Sequence, residues 1–198
     1  MSSTGRGGVR RNLDAYYTPD DVARACVATL ASDLRRATAW EPHAGGGAFV
    51  RALLAVNAKV TISDIDPAAP ALGIPGTDVF VGDFLTCEHG LTPAVRPDWI
   101  IGNPPFSGAE AHVRHALARA NCGVGFLLRL AFLESKARAP LWRDYPPASV
   151  HVLCERPSFT GGATDSAAYG WFIWRVGNDA GYTPFLHWMS WRGSHGQG

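Results

Sequence analysis

Asn103-Pro104-Pro105-Phe106 is the run of this 198-residue sequence whose residue types are most specific to one kind of chemistry. The Asn103 carboxamide oxygen is a hydrogen-bond acceptor, and the Pro104 carbonyl lies one residue further on. Proline fixes φ, so two consecutive prolines stiffen the loop and hold such acceptors in place before any ligand arrives. An exocyclic amine on a heteroaromatic ring is a poor nucleophile, because its lone pair is delocalised into the ring. Two acceptors aimed at its two hydrogens draw the nitrogen toward a tetrahedral, nucleophilic form. Phe106 offers a flat face for the ring itself. This arrangement suits alkyl transfer to an aromatic amine, a reaction that needs in-line positioning more than a strong base.

A second group of residues suits a nucleoside cofactor. Glu41-Pro42-His43-Ala44-Gly45-Gly46-Gly47-Ala48-Phe49 lies between a strand-like and a helix-like segment. Glycines there permit a tight turn and close approach of a ligand to the backbone, and the free N–H groups of the helix start favour an anionic group. Asp64 follows about 20 residues later, at the end of the next strand, where a carboxylate can accept both ribose hydroxyls. Asp83 ends a third strand, placed to accept from an adenine amino group, with Phe84 against the ring. Asp66, before Pro67, reads as a cap or turn former. Gly45, Gly46 and Gly47 are consecutive, unlike the Gly-x-Gly-x-x-Gly of a pyrophosphate loop, which favours S-adenosylmethionine (SAM) over a nicotinamide dinucleotide.

These residues must be carried by alternating strands and helices, the signature of an α/β domain with a mainly parallel sheet. Asp20 to Leu34 has helical spacing in Val22, Ala23, Cys26, Val27, Leu30 and Leu34, with Pro19 at its first turn. Ala37 to Glu41 reads as the first strand, followed by the glycine run and a helix through Phe49, Val50, Leu53 and Leu54. Lys59 to Asp64, Asp78 to Val81 and Asp98 to Ile101 read as strands two to four. A helix over Ala109 to Arg119 precedes an apolar fifth strand, Gly123 to Arg129, and a short helix over Leu133 to Arg138. Ser149 to Cys154 and Tyr169 to Val176 are strands with no helix between them, which predicts an antiparallel pair at a sheet edge. The aromatic segment Phe185 to Trp191 is a candidate for a further strand.

Taken together, Glu41-Pro42, Gly45, Gly47 and Phe49, then Asp64-Ile65-Asp66-Pro67, Gly82-Asp83-Phe84-Leu85 and Asn103-Pro104-Pro105-Phe106, resemble the amino-group (N6-adenine) DNA methyltransferases. The motif order is similar to their gamma arrangement, and Tyr17-Thr18-Pro19 resembles their N-terminal cofactor motif. The resemblance covers about Tyr16 to Leu128. It implies a class I SAM-dependent methyltransferase fold, a Rossmann-like seven-stranded sheet with helices on both faces and an antiparallel seventh strand. It also implies that Thr18 helps hold the methionine part of SAM, with Tyr17 beside it a further cofactor-binding residue, that Asp64 binds its ribose, that Ile65 packs on its adenine and that Asp83 binds the adenine amine. Asn103, Pro104, Pro105 and Phe106 would grip and stack the flipped target base. There is no room for a separate target-recognition domain, as in the small, phage-type adenine methyltransferases. Those also show an Arg-Pro-x-Phe loop and a Tyr-x-Trp-Phe-x-Trp strand, here Arg156-Pro157-Ser158-Phe159 and Tyr169-Gly170-Trp171-Phe172-Ile173-Trp174. Arg156 and Phe159 are therefore candidate substrate-binding residues, and the loop Phe159 to Ser166 a candidate cover for the base.

Composition bounds these expectations. With 46% hydrophobic and 18% charged residues and a net charge of +1, the chain can bury a core and is no basic coat for nucleic acid. Residues 1–14 read as a flexible basic arm through Arg6, Arg10 and Arg11, and 15–198 as one SAM-dependent methyltransferase domain. No apolar run approaches the roughly 18 residues of a membrane span, and no secretory signal begins the chain, so a cytoplasmic protein, bacterial or phage, is expected. Cys26, Cys87, Cys122 and Cys154 lack zinc-site spacing and read as buried free thiols; the chemistry calls for no metal. Trp171 and Trp174 fall on opposite faces of a strand. DNA is the expected partner. The alternatives are an RNA enzyme acting on adenine N6 or guanine N2, a methyltransferase for a protein glutamine amide, and a SAM-binding module without catalysis.

Overall fold

The computed structural model describes residues 17–86, 96–159, 165–177 and 183–192. The basic arm, Cys87 and the glycines at 161 and 162 lie outside them. The parallel half of the sheet is built from β1 (Thr38–Glu41), β2 (Lys59–Asp64), β3 (Thr77–Val81), β4 (Trp99–Gly102) and β5 (Gly123–Arg129). β6 (Ser149–Leu153), β7 (Tyr169–Arg175) and β8 (Phe185–Met189) complete one eight-stranded sheet in the order β3-β2-β1-β4-β5-β7-β6-β8. β7 runs antiparallel to both β5 and β6, whereas β8 is parallel to β6. Thus the C-terminal pair is antiparallel as predicted, but β8 covers it and forms the edge.

Side-chain alternation sorts the apolar residues into two layers. On one face, Ala39, Val60, Ile62, Trp99, Ile101 and Trp171 pack beneath α1 (Asp20–Ala28), α2 (Ala31–Leu34) and α3 (Ala48–Ala55). On the other, Trp40, Ile100, Val124, Phe126, Phe172 and Trp174 pack against α4 (Ala109–Arg119) and α5 (Ala139–Asp144). Trp171 and Trp174 do take opposite faces, and both are buried. Close-packed tryptophans and backbone explain two glycines in β5. A Cβ on Gly125 would lie 2.5 Å from the Trp171 ring, and one on Gly123 would strike Trp99 and the Trp174 carbonyl.

Three local expectations are corrected. The helix read through Leu34 breaks after Ala28, where the Thr29 hydroxyl donates to the Cys26 carbonyl (2.7 Å) and accepts from Trp171 Nε1 (3.1 Å). A side chain that bonds backward in this way competes with the helical ladder. The helix read over Leu133 to Arg138 is instead two 3₁₀ turns, Leu130–Leu133 and Lys136–Arg138, split by Ser135 at φ 130°. α5 follows, with Pro140 in its first turn. Of the cysteines, Cys26 is buried as expected, but Cys122 and Cys154 are exposed, because each sits just outside a strand rather than within it. Among the described residues, no helix is long and apolar enough to cross a membrane.

Candidate functional site

Sheet order reverses between β1 and β4: from β1 the chain builds outward through β2 and β3, and from β4 outward through β5. A crevice opens outside the C-terminal ends of strands at such a switch point. The glycine loop leaves β1 there, and Asn103 leaves β4 beside it. Tyr17, Thr18, Glu41, Gly45, Phe49 and Asn103 all line this one cleft.

The glycine loop is held from below by a carboxylate. Asp64 Oδ2 accepts from the Gly45 N–H (2.7 Å) and Oδ1 from the Asp66 N–H (2.9 Å). Gly45 and Gly47 have φ of 46° and 84°, backbone that favours glycine, and Gly47 leads directly into α3. The Tyr17 ring lies on the loop, 3.1 Å from where a Cβ on Gly46 would stand. Ile65, beside Asp64, is 53% exposed, an apolar surface at the rim. Asp83 is half-buried at the end of β3 and accepts from the Leu85 N–H at 2.9 Å. Pro42 is buried, and Phe49 stacks on Trp171 with centroids 5.5 Å apart.

Glu41 is buried at the floor, its Oε1 accepting from the His43 N–H at 2.9 Å. Gly102 passes so close that a Cβ would overlap this carboxylate. Burial pushes the Glu41 carboxyl well above the usual range, against the His43 N–H, and the nearby Asp64 charge adds to the rise. Phe84 does not face the cleft. It is 2% exposed, its ring enclosed by Trp40, His43, His112 and His115. His43 Nε2 and His112 Nδ1 share a 2.9 Å hydrogen bond, and burial holds His43, His112 and His115 below the ordinary histidine range.

At the Asn103–Phe106 loop, Asn103 Nδ2 donates to Thr18 Oγ1 at 3.1 Å, while Asn103 Oδ1 is buried with no hydrogen-bond partner. Pro104 is buried and Pro105 half-buried. Phe106 is caged by residues from distant parts of the chain. The Arg129 guanidinium lies 4.3 Å from its centroid, Tyr169 is at 5.6 Å and Phe159 at 6.4 Å. Phe159 is thus brought to the site, whereas Arg156 is exposed and has no described contact with Phe106. Arg129, Tyr169 and the histidines His43 and His112 were missed from sequence. Tyr169 and His43 lay within quoted motifs without being assigned a role, and Arg129 was signalled as a cation closing an otherwise apolar strand.

No protein-family model and no curated protein matches the chain. Solved structures do. An RNA methyltransferase candidate from Pyrococcus horikoshii superposes with TM-score 0.69 at 16% identity, over 87% of this chain and 93% of that one. The type I restriction-modification methyltransferase subunit from Streptococcus thermophilus gives 0.70 at 15%, over 88% of this chain but only 47% of its own length. Magnesium protoporphyrin IX methyltransferase from Synechocystis, solved with bound SAM, gives 0.58 at 14%, over 79% of both chains. The fold is that of the class I SAM-dependent methyltransferases. Relative to the expected seven strands, β8 is an addition at the edge.

Proposed function

We propose that this protein transfers a methyl group from SAM to the N6 amine of adenine in DNA. The observation that carries this reading is the Asn103 carboxamide. Asn103 lines the cleft; its nitrogen is engaged by Thr18, and its oxygen is buried and without a partner. An unpaired buried acceptor costs about 1–3 kcal/mol, which a ligand N–H would recover. An exocyclic amine is the donor that the loop chemistry calls for.

SAM supplies an electrophilic methyl group on a sulfonium. The residues of the cleft fit such a molecule. Asp64, at the end of β2, is placed for ribose hydroxyls, Ile65 for the adenine face and Asp83 for its amino group. Burial raises the Glu41 carboxyl above its ordinary range, and a cationic ligand beside it would favour the ionised form. Tyr17 and Thr18 close the methionine side. The Phe84 ring, already enclosed, is left out of this assignment. On the target side, Asn103 Oδ1 and the Pro104 carbonyl accept from the two amine hydrogens, and Phe106 supports the base. The amine so held would take up the methyl group that bound SAM supplies, leaving the thioether behind, and its displaced proton would pass to solvent. Adenine in a duplex must leave the stack to reach the site, which costs a few kcal/mol.

RNA is the second reading, favoured by the Pyrococcus horikoshii likeness, which spans nearly all of both chains. The test is methyl transfer from labelled SAM to duplex DNA, single-stranded DNA and RNA, followed by nucleoside mass analysis, with Asn103→Ala as control. N6-methyladenine in DNA that disappears in the control is the expected result. Label in RNA alone would transfer the assignment to RNA, and SAM binding without transfer to any nucleic acid would overturn both.

A further inference from the structure

The cage around Phe106 is more elaborate than a stacking residue requires. Arg129 ends β5, the strand beside β4, so its side chain emerges next to the Asn103–Phe106 loop. Its guanidinium lies 4.3 Å from the Phe106 centroid, within cation–π range. It does not rest there by that attraction alone. Arg129 Nε donates to the Tyr169 hydroxyl at 3.3 Å, and that hydroxyl donates to Asp165 Oδ2 at 2.6 Å. The same carboxylate oxygen lies 3.9 Å from the guanidinium. Asp165 is in turn oriented by the Ala167 N–H at 3.1 Å. Tyr169 begins β7, the antiparallel strand, and so meets the C-terminal end of β5 in register with Arg129. Its ring is fully buried and packs on Phe159 at 4.9 Å. A planar cation with a fixed fork geometry, held at one edge by a hydroxyl and a carboxylate, can determine the plane of the ring it covers.

We propose that Arg129, oriented by the Asp165–Tyr169 pair, is a positioning residue that sets the plane of Phe106 and thereby the alignment of the target base with Asn103. It rests on the proposed amine methylation, and it assigns the antiparallel strand β7 a part in target alignment. Charge alone does not suffice for this role, because an ammonium cannot lie flat on a ring while keeping an edge-on bond to Tyr169. The residues assigned to SAM are not part of this chain of contacts, so SAM affinity should be unaffected.

The test uses full-length protein carrying 4-fluorophenylalanine at position 106, with Arg129→Lys, Tyr169→Phe and the surface control Arg143→Lys. The ¹⁹F resonance of the ring is expected to shift or broaden in Arg129→Lys and Tyr169→Phe but not in Arg143→Lys. kcat/KM for the nucleic acid should fall about tenfold or more, the scale of a misaligned reacting group, with the SAM dissociation constant unchanged. The double variant should lose little beyond either single one, since both break the same chain of contacts. An unshifted ring resonance in both folded variants overturns the proposal, as does full activity in Arg129→Lys. If the unsubstituted protein methylates no nucleic acid, the parent reading fails, while the ring resonance still decides whether Arg129 sets Phe106.

Discussion

The two halves of the cleft are built by different means. On the proposed cofactor side, backbone does the positioning. Asp64 holds Gly45 and Asp66 through their N–H groups, the Gly45 carbonyl accepts from Ala71, and the Ala44 N–H donates to Ser63 of β2. On the proposed target side, side chains do it. Thr18 fixes the Asn103 amide, and Phe106 is framed by Arg129, Phe159 and Tyr169. A backbone-built site tolerates little variation in its glycines and much in its surroundings. A site built from side chains can be retuned one residue at a time, which suits the part of an enzyme that chooses its substrate.

That contrast can be broken most severely at Asn103. Asn103→Ala is expected to lower kcat by about a hundredfold or more, as loss of a preorganised polar partner of the transition state does, with SAM affinity nearly intact. Single-turnover methyl transfer alongside calorimetric SAM titration measures both. A parallel loss of SAM binding would mean that the two sides are not separable.

Asp64→Ala should show the opposite pattern. It removes a carboxylate that binds two backbone N–H groups and is assigned to the ribose. SAM affinity should fall by tenfold or more, the scale of a charge-assisted hydrogen bond lost. Unchanged affinity in calorimetry would remove Asp64 from the cofactor side.

Gly102→Ala tests the seam between the halves. The added methyl would overlap the buried Glu41 carboxylate, and overpacking of this kind costs about 1–3 kcal/mol. Thermal melting should show the loss, and Gly102→Ala/Glu41→Ala should recover part of it.

The smallest effect is in pH. His43, His112 and His115 are held below the ordinary histidine range, mainly by burial. Below about pH 6.5 the unfolded chain takes up protons that these folded histidines do not, so stability falls as pH drops through that value toward their folded pKa. Glu41 acts in the opposite sense. Its raised pKa keeps a proton in the folded state that the unfolded chain releases above the usual carboxylate range, so it costs stability as pH rises through that window. On going from pH 7 to pH 5.5 the melting temperature should therefore fall less in His112→Gln, and more in Glu41→Gln, than in the unsubstituted protein. Identical slopes in all three proteins would sink this account.

Much of the frame was legible because its signals are local. Lys59–Asp64, Ala109–Arg119 and Gly123–Arg129 have the bounds read from their apolar pattern, since alternation and helical spacing report burial directly. The break at Thr29 was hidden because it depends on the Trp171 indole, on a strand far along the chain. β8 was weakly signalled because an edge strand with exposed Phe185, Leu186 and Trp188 has no buried face to impose alternation. Within the site, Gly45, Asp64 and Asn103 stood out by residue type and spacing. Arg129, Asp165 and Tyr169 did not, because an arginine, an aspartate and a tyrosine carry no common motif until the sheet brings them together.

The sequence by itself determined the alternation of strands and helices, the glycine turn, the carboxylates at strand ends and the rigid Asn-Pro-Pro-Phe loop, because each follows from backbone preference or periodic burial within a few residues. The tertiary structure alone decided that Thr18 engages the Asn103 amide nitrogen, that the Phe84 ring is enclosed by Trp40 and three histidines, and that an antiparallel strand delivers Tyr169 to Arg129 over Phe106. Those outcomes depend on contacts between residues far apart in the chain, whose meeting is set by strand order and register rather than by any local preference.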